Sequence, residues 1–250
     1  MARITVEAPA SAGVVITQTQ TANTQGGERK ADQTIMIQGN KQKMITGDRE
    51  VIIDLDNNKM YMIQTAQSSY LAVPFPPQGP LASAVSHAAG AMDFKKGTTS
   101  RTVLGYSCND YTGSGTSMGG DYTVTECFST AAPGAKEFTA YQKTLASKLK
   151  GVVPMNNTPD GIPLASDSVV KMNAMMPPGM TPEQQKMMPA SRTVTTKTAV
   201  TKLEVKTLPD DTFTVPKGFT ERQMRMPMMG GPGGGAPHPM PASPPSAPKQ

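Results

Sequence analysis

Residues Gly47 to Phe75 read GDREVIIDLDNNKMYMIQTAQSSYLAVPF. Three short apolar runs stand in this stretch, Val51 to Leu55, Lys59 to Ile63 and Tyr70 to Val73, separated by two polar breaks. Runs of that length with polar interruptions predict a meander of antiparallel strands. The first break, Asp56-Asn57-Asn58, supplies residue types that tolerate left-handed backbone angles, so a tight hairpin is expected there. The second, Gln64 to Ser69, reads as a longer polar turn. An isolated hairpin leaves its apolar face wet, so the rest of the chain must supply further strands or a helix as cover.

Upstream of the meander, VVITQTQTA after Gly13 alternates apolar or β-branched with polar residues and predicts a first strand. NTQGGERKA is expected to be a loop, and QTIMIQGNKQKMIT two strands around a Gly39-Asn40 turn. Downstream, Pro74, Pro76, Pro77 and Pro80 stop the sheet, because proline cannot donate to a ladder. LASAVSHAAGAMD, residues 81 to 93, is Ala-rich and predicts a short helix weakened by Gly90. His87 within it reads as a surface or packing residue.

YSCNDYT and DYTVTECF flank GSGTSMGG, the pattern of a hairpin with a long flexible tip. Folding that hairpin about the midpoint of its loop places Cys108 opposite Cys127, on one face and within reach of a disulfide. Two readings stand: a bridge, which favours an oxidising compartment, or a pair of small buried hydrophobes. PGAKEFTAYQKTLASKLKG is the clearest helix, with Phe138, Tyr141, Leu145 and Leu149 on one stripe and Gly151 as its stop. That stripe is expected to pack on the apolar face of the sheet. GIPLASDSVVKMNAM and SRTVTTKTAVTKLEVKTL predict a strand pair. In the second, the apolar phase changes between Val200 and Leu203, which predicts a bulge or a crossing to the other face. Between them, Thr181-Pro182-Glu183-Gln184 has the form of a helix start. FTVPKGF, residues 213 to 219, is expected to be a last ordered clip. The resulting division is a flexible leader at 1–12, one domain at 13–222 and a disordered Pro-, Gly- and Met-rich tail at 223–250.

Only 37% of the 250 residues are hydrophobic and 5% aromatic, with no Trp, so the core is expected to be thin and β-leaning. The net charge of +5 comes from Lys and Arg scattered among acids. A nucleic-acid surface needs a clustered basic face interleaved with stacking aromatics, and neither is present. No stretch of about 18 apolar residues predicts a spanning helix. The N-terminus lacks the apolar region of a secretory signal, which fits either a cytoplasmic chain or an exported one whose signal is not in the sequence. With two His residues, no G-x-S-x-G, no phosphate loop and no metal-spaced cluster, the sequence points away from an enzyme and to no cofactor.

QGNKQKMI, EVIIDLDNNKMYMI, SSYLAVPF, GYSCNDY, APGAKEFTAYQKTL, GIPL and FTVPKGF, in that order, resemble a family of secreted bacterial domains of unknown function. That family is similar to the periplasmic lipoprotein carriers of the LolA and LolB type. The resemblance spans roughly residues 13 to 220 and implies a mainly β fold: a strongly curved, unclosed antiparallel sheet, a half barrel, with one or two helices on its concave side. In the carriers that concavity holds lipid acyl chains.

The expected function is therefore that of a non-enzymatic, periplasmic or secreted protein holding an apolar ligand, a lipid or a hydrophobic protein segment. Nineteen Met against six Phe offer a soft apolar surface that repacks around varied ligands; the same Met residues also suit an irregular thin core. Met60 and Met62 share one face of their strand and Tyr61 and Ile63 the other. We expect Met60 and Met62 to face the concavity, with Phe138, Tyr141 and Leu145 above them. Tyr61 is expected at a wet outer surface, where its hydroxyl is easily satisfied. A second reading is Cu(I) handling by thioethers at Met172, Met175, Met176, Met180, Met187 and Met188 and at Met224, Met226, Met228 and Met229.

Overall fold

The computed structural model describes residues 12–24, 26–79, 82, 92–117, 120–153, 155–173 and 191–223. Alternating β-branched and polar residues set most of this length as strand. In chain order these are β1 (Gly13–Thr24), β2 (Gly27–Gln38), β3 (Lys41–Thr46), β4 (Arg49–Asp54), β5 (Lys59–Gln64), β6 (Ser69–Pro74), β7 (Met92–Val103), β8 (Tyr106–Ser117) and β9 (Gly120–Ser129). Helix α1 (Ala135–Leu149) follows, then β10 (Met155–Asn156), β11 (Ile162–Asn173), β12 (Ser191–Lys206) and β13 (Thr220–Glu221). Hydrogen bonding links them into one 13-stranded sheet, ordered β10-β7-β8-β9-β11-β12-β1-β2-β3-β4-β5-β6-β13. Its edges, β10 and β13, are two-residue parallel bridges and the other pairings are antiparallel. The sheet is curved and unclosed, a half barrel with α1 against one face.

The meander forms as its sequence dictates. Asp54 accepts hydrogen bonds from the backbone N–H of Asn57 at 2.9 Å and from its side-chain amide at 2.8 Å, and Asn58 takes the left-handed conformation at φ 52°. The β3–β4–β5–β6 register follows from that turn and from the 3-10 turn Thr65–Gln67. The phase change in β12 is a bulge: Thr17 pairs with Lys202 and Gln18 with Val200, so Thr201 is the extra residue.

Several expectations need correction. NTQGGERKA is not a loop, because β1 runs to Thr24 and β2 starts at Gly27. GSGTSMGG is not a long flexible tip either. β8 continues to Ser117 and β9 begins at Gly120, because β8 is also paired with β7 and β9 with β11, and that pairing overrides the low β-propensity of the glycines. Cys108 and Cys127 are bridged, but Asp110, not Cys108, is the residue opposite Cys127. The two cysteines lie on a diagonal that strand twist brings to a Cα separation of 5.3 Å. Strand β7 went unrecognised because its sequence, MDFKKGTTSRTV, is polar. The helix expected over 81–93, with His87, lies outside the described residues except at Ala82, Met92 and Asp93, of which the last two are strand. Nearly all of the expected leader and tail and the expected helix start at Thr181 also lie outside them.

Two cores form, one on each face. The larger lies between α1 and the sheet and includes Val14, Ile16, Ile37, Leu55, Phe138, Tyr141, Ile162, Leu164 and the disulfide. Gly134 makes the approach possible: it sits at φ 82°, and a Cβ there would lie 2.5 Å from Val14 Cγ2. At its other end α1 is held by Lys148 Nζ, which donates to Asn58 Oδ1 at 2.7 Å. The second core packs Val15, Ile52, Ile63 and Tyr61 under Leu208, Phe213, Val215 and Phe219. Tyr61 lies on the outer face, half-buried rather than freely exposed, because the clip FTVPKGF packs beside it and buries Phe213.

Candidate functional site

Register assigns the concave face residue by residue. Its first row, Val14, Ile37, Gln42, Ile53, Met60 and Val73, joins strands β1 to β6 through directly opposed pairs. Helix α1 lies over this row: Val14, Ile37, Ile53 and Met60 belong to or pack on the cluster that holds Phe138, Tyr141, Leu145 and Leu149. The next row along the same face is Ile16, Ile35, Met44, Val51, Met62 and Leu71, again through directly opposed pairs. Six apolar side chains on six adjacent strands make a stripe about 24 Å long, at about 4.8 Å per strand. Among them only Ile16 is fully buried; Ile35, Met44, Val51 and Leu71 are half-buried, and Met62 is 36% exposed. The third row, Gln18, Gln33, Thr46, Arg49, Gln64 and Ser69, is polar throughout. The stripe is thus bounded by the helix on one side and by amides, hydroxyls and Arg49 on the other.

Of the residues expected at the site, Met60, Phe138, Tyr141 and Leu145 come together in the core under the helix. Met62 shares the face of Met60 but lies one row further out. Tyr141 is fully buried, and among the described residues its hydroxyl has no hydrogen-bond partner. Burial pushes its pKa well above the usual phenol range. Val51, Met44, Leu71, Ile16 and Ile35 were not singled out in the sequence, although the alternation that fixes Met62 fixes them equally.

Hollows lie at both ends of the stripe. One, of about 510 Å³, is lined by Arg49, Val51, Met62, Leu71 and Arg222 among others. The other, of about 390 Å³, takes in Ile16, Ile35, Phe138, Leu164 and Val170, with Gln18, Gln20, Ser166, Thr198 and Glu126. Glu126 is opposite Ser166 on β11, which in turn is opposite Thr198 on β12 and, through it, Gln20 on β1. Burial raises the pKa of Glu126 to about 7, against the pull of a hydrogen bond with Ser166. Nothing in the local sequence, DYTVTECF, distinguishes this acid from one facing solvent.

Among the described residues no group of three or more His, Cys, Asp or Glu is placed to hold a metal ion. Of the methionines considered as thioether ligands, only Met172 is described, 42% exposed on β11. No described helix is long and apolar enough to cross a membrane.

Residues 13–164, more than half of the chain, match a family described as a domain of unknown function, DUF4412. No curated protein sequence matches. Among solved structures, the chain is similar to PNGF-II at 10% identity and a TM-score of 0.42, over 86% of this chain but only 31% of the other. It therefore spans about a third of that protein's length. It is similar to a putative outer membrane lipoprotein-sorting protein domain from Vibrio parahaemolyticus at 8% identity and a TM-score of 0.33, over 80% of this chain and 88% of that one. It is also similar to a LolA superfamily protein from Nitrosomonas europaea at 7% identity and a TM-score of 0.30, with coverages of 84% and 92%.

Proposed function

This chain belongs to the DUF4412 family, and we propose that it is a non-enzymatic binding protein that holds an apolar chain on the concave face of its half barrel. The occupant is a lipid acyl chain or a hydrophobic protein segment. One observation carries the reading: the helix covers the Met60 row and, of the next row, only the Ile16 and Ile35 end, leaving Met44, Val51, Met62 and Leu71 half-buried or exposed in register. The uncovered part of the six-residue stripe runs about 14 Å across four strands, enough for a segment of an acyl chain, and burying each CH₂ contributes about 0.8 kcal/mol. Methionine at two of its six positions lets the floor adapt to chains of different shape.

The bridge between Cys108 and Cys127 supports an oxidising compartment, the periplasm or the cell exterior. The test of function is titration of an environment-sensitive fluorescent fatty acid into the folded protein. Saturable binding that is lost in Met62→Asp, with an unchanged circular-dichroism spectrum, supports the reading. No saturable binding by the wild-type protein overturns it.

A further inference from the structure

The hollow at the Ile16 end of the stripe contains a carboxylate that has no cation beside it among the described residues. Glu126 lies in the polar row Gln20, Thr198, Ser166, Glu126, and the side chains lining the hollow include no Lys or Arg. Among the described residues Glu126 takes part in no ion pair. On the same face, Tyr111 of β8 is directly opposite it, and the first cation along that ladder among the described residues is Lys96 of β7, one strand further on and exposed. The helix contributes Phe138 to this hollow, and β1 and β2 contribute Ile16, Gln18, Gln20 and Ile35, all uncharged.

A partly desolvated carboxylate in that setting is stabilised either by a proton or by a cation delivered with a ligand. Beside it are hydroxyls of Ser166, Ser168, Thr196 and Thr198 and, contiguous with them, the start of the apolar stripe at Ile16 and Ile35. We propose that this hollow is a head-group subsite for an amphiphile with a cationic ammonium head, with Glu126 as its counter-charge and the alkyl chain running along the stripe toward Met62. This rests on the apolar-chain reading above and adds selectivity for the head. The hollow at the other end of the stripe is lined by Arg49 and Arg222 and by Glu50, which is already paired with Lys43, so a bound cationic amphiphile has one orientation favoured by charge.

The test compares dodecyltrimethylammonium, dodecyl maltoside and dodecanoate, each below its micelle concentration, by calorimetric titration of the full chain at pH 8, where Glu126 is ionised. The expected order places the ammonium compound about tenfold tighter than the neutral one and tighter still than the carboxylate. Glu126→Gln is expected to remove the ammonium preference while leaving the maltoside affinity within about twofold. If that variant does not fold, the wild-type protein at pH 5.5 replaces it: protonation of Glu126 is expected to abolish the preference for the quaternary ammonium, whose own charge does not titrate. Equal binding of all three compounds, unaffected by the substitution or by pH, overturns the head-group assignment and leaves the apolar reading standing. Binding of none of them overturns the apolar reading itself.

Discussion

Met60 and Met62 stand two residues apart on the same face of β5, and the helix covers one and not the other. Met60 packs on the cluster that contains Phe138 and Tyr141, whereas Met62 is 36% exposed. The boundary between core and groove therefore falls within one strand, and paired substitutions can separate the two. Met60→Asp is expected to unfold the domain or lower its midpoint steeply, because an unpaired carboxylate is placed under the helix. Met62→Asp is expected to stay folded, with a midpoint within a few degrees of wild type. Thermal melts by circular dichroism decide it, and equal destabilisation by both contradicts the boundary.

Gly134 sets how closely the helix approaches β1. Its φ of 82° and the 2.5 Å between a built Cβ and Val14 Cγ2 mean that Gly134→Ala adds both backbone strain and overlap. A loss of about 2 to 4 kcal/mol in chemical unfolding is expected. A loss below about 0.5 kcal/mol shows that the helix lies further from the sheet.

Bridging Cys108 to Cys127 closes a loop with a sequence separation of 19. Opening it with reductant is expected to cost on the order of 3 kcal/mol, since the unfolded chain regains the entropy of that loop. Alkylation of the denatured, unreduced protein is expected to label no cysteine, and labelling of both contradicts the bridge.

Glu126 gives stability a pH dependence of definite sign. Burial raises its pKa from 4.5 to about 7 in the folded protein. The protonated folded state is favoured, so this contribution is fully present below about pH 4.5 and is lost as pH rises through 7. Between pH 5 and 8 the wild-type midpoint is expected to fall relative to that of Glu126→Gln. Parallel curves for the two proteins over that range contradict the partly desolvated placement of the carboxylate.

Legibility in the sequence followed the range of the interactions. The meander and the stripe of α1 were readable because their information is local: Asp54 to Asn58 carry their own turn, and Phe138, Tyr141 and Leu145 repeat at helical spacing. The phase break in β12 was readable for the same reason and is the bulge at Thr201. Strand β7 was not, because MDFKKGTTSRTV has little apolar alternation and is strand only through pairing with β8. The Cys108–Cys127 register was misplaced by two residues because GSGTSMGG reads locally as a loop, while the long strands on both sides extend through most of it. The candidate site was half legible. Met62 and its neighbours have a face from alternation, but which row the helix leaves uncovered depends on where Gly134 and Lys148 anchor it. Glu126 became notable only when β1, β11 and β12 surrounded it.

The most direct test of the uncovered stripe is photo-crosslinking with a fatty acid carrying a diazirine at mid-chain, followed by peptide mapping. The expected result is saturable labelling of Met44, Val51, Met62 or Leu71, suppressed by unlabelled fatty acid and lost in Met62→Asp. Labelling that is confined to the outer face around Tyr61, Phe213 and Phe219, or that no competitor suppresses, contradicts the account.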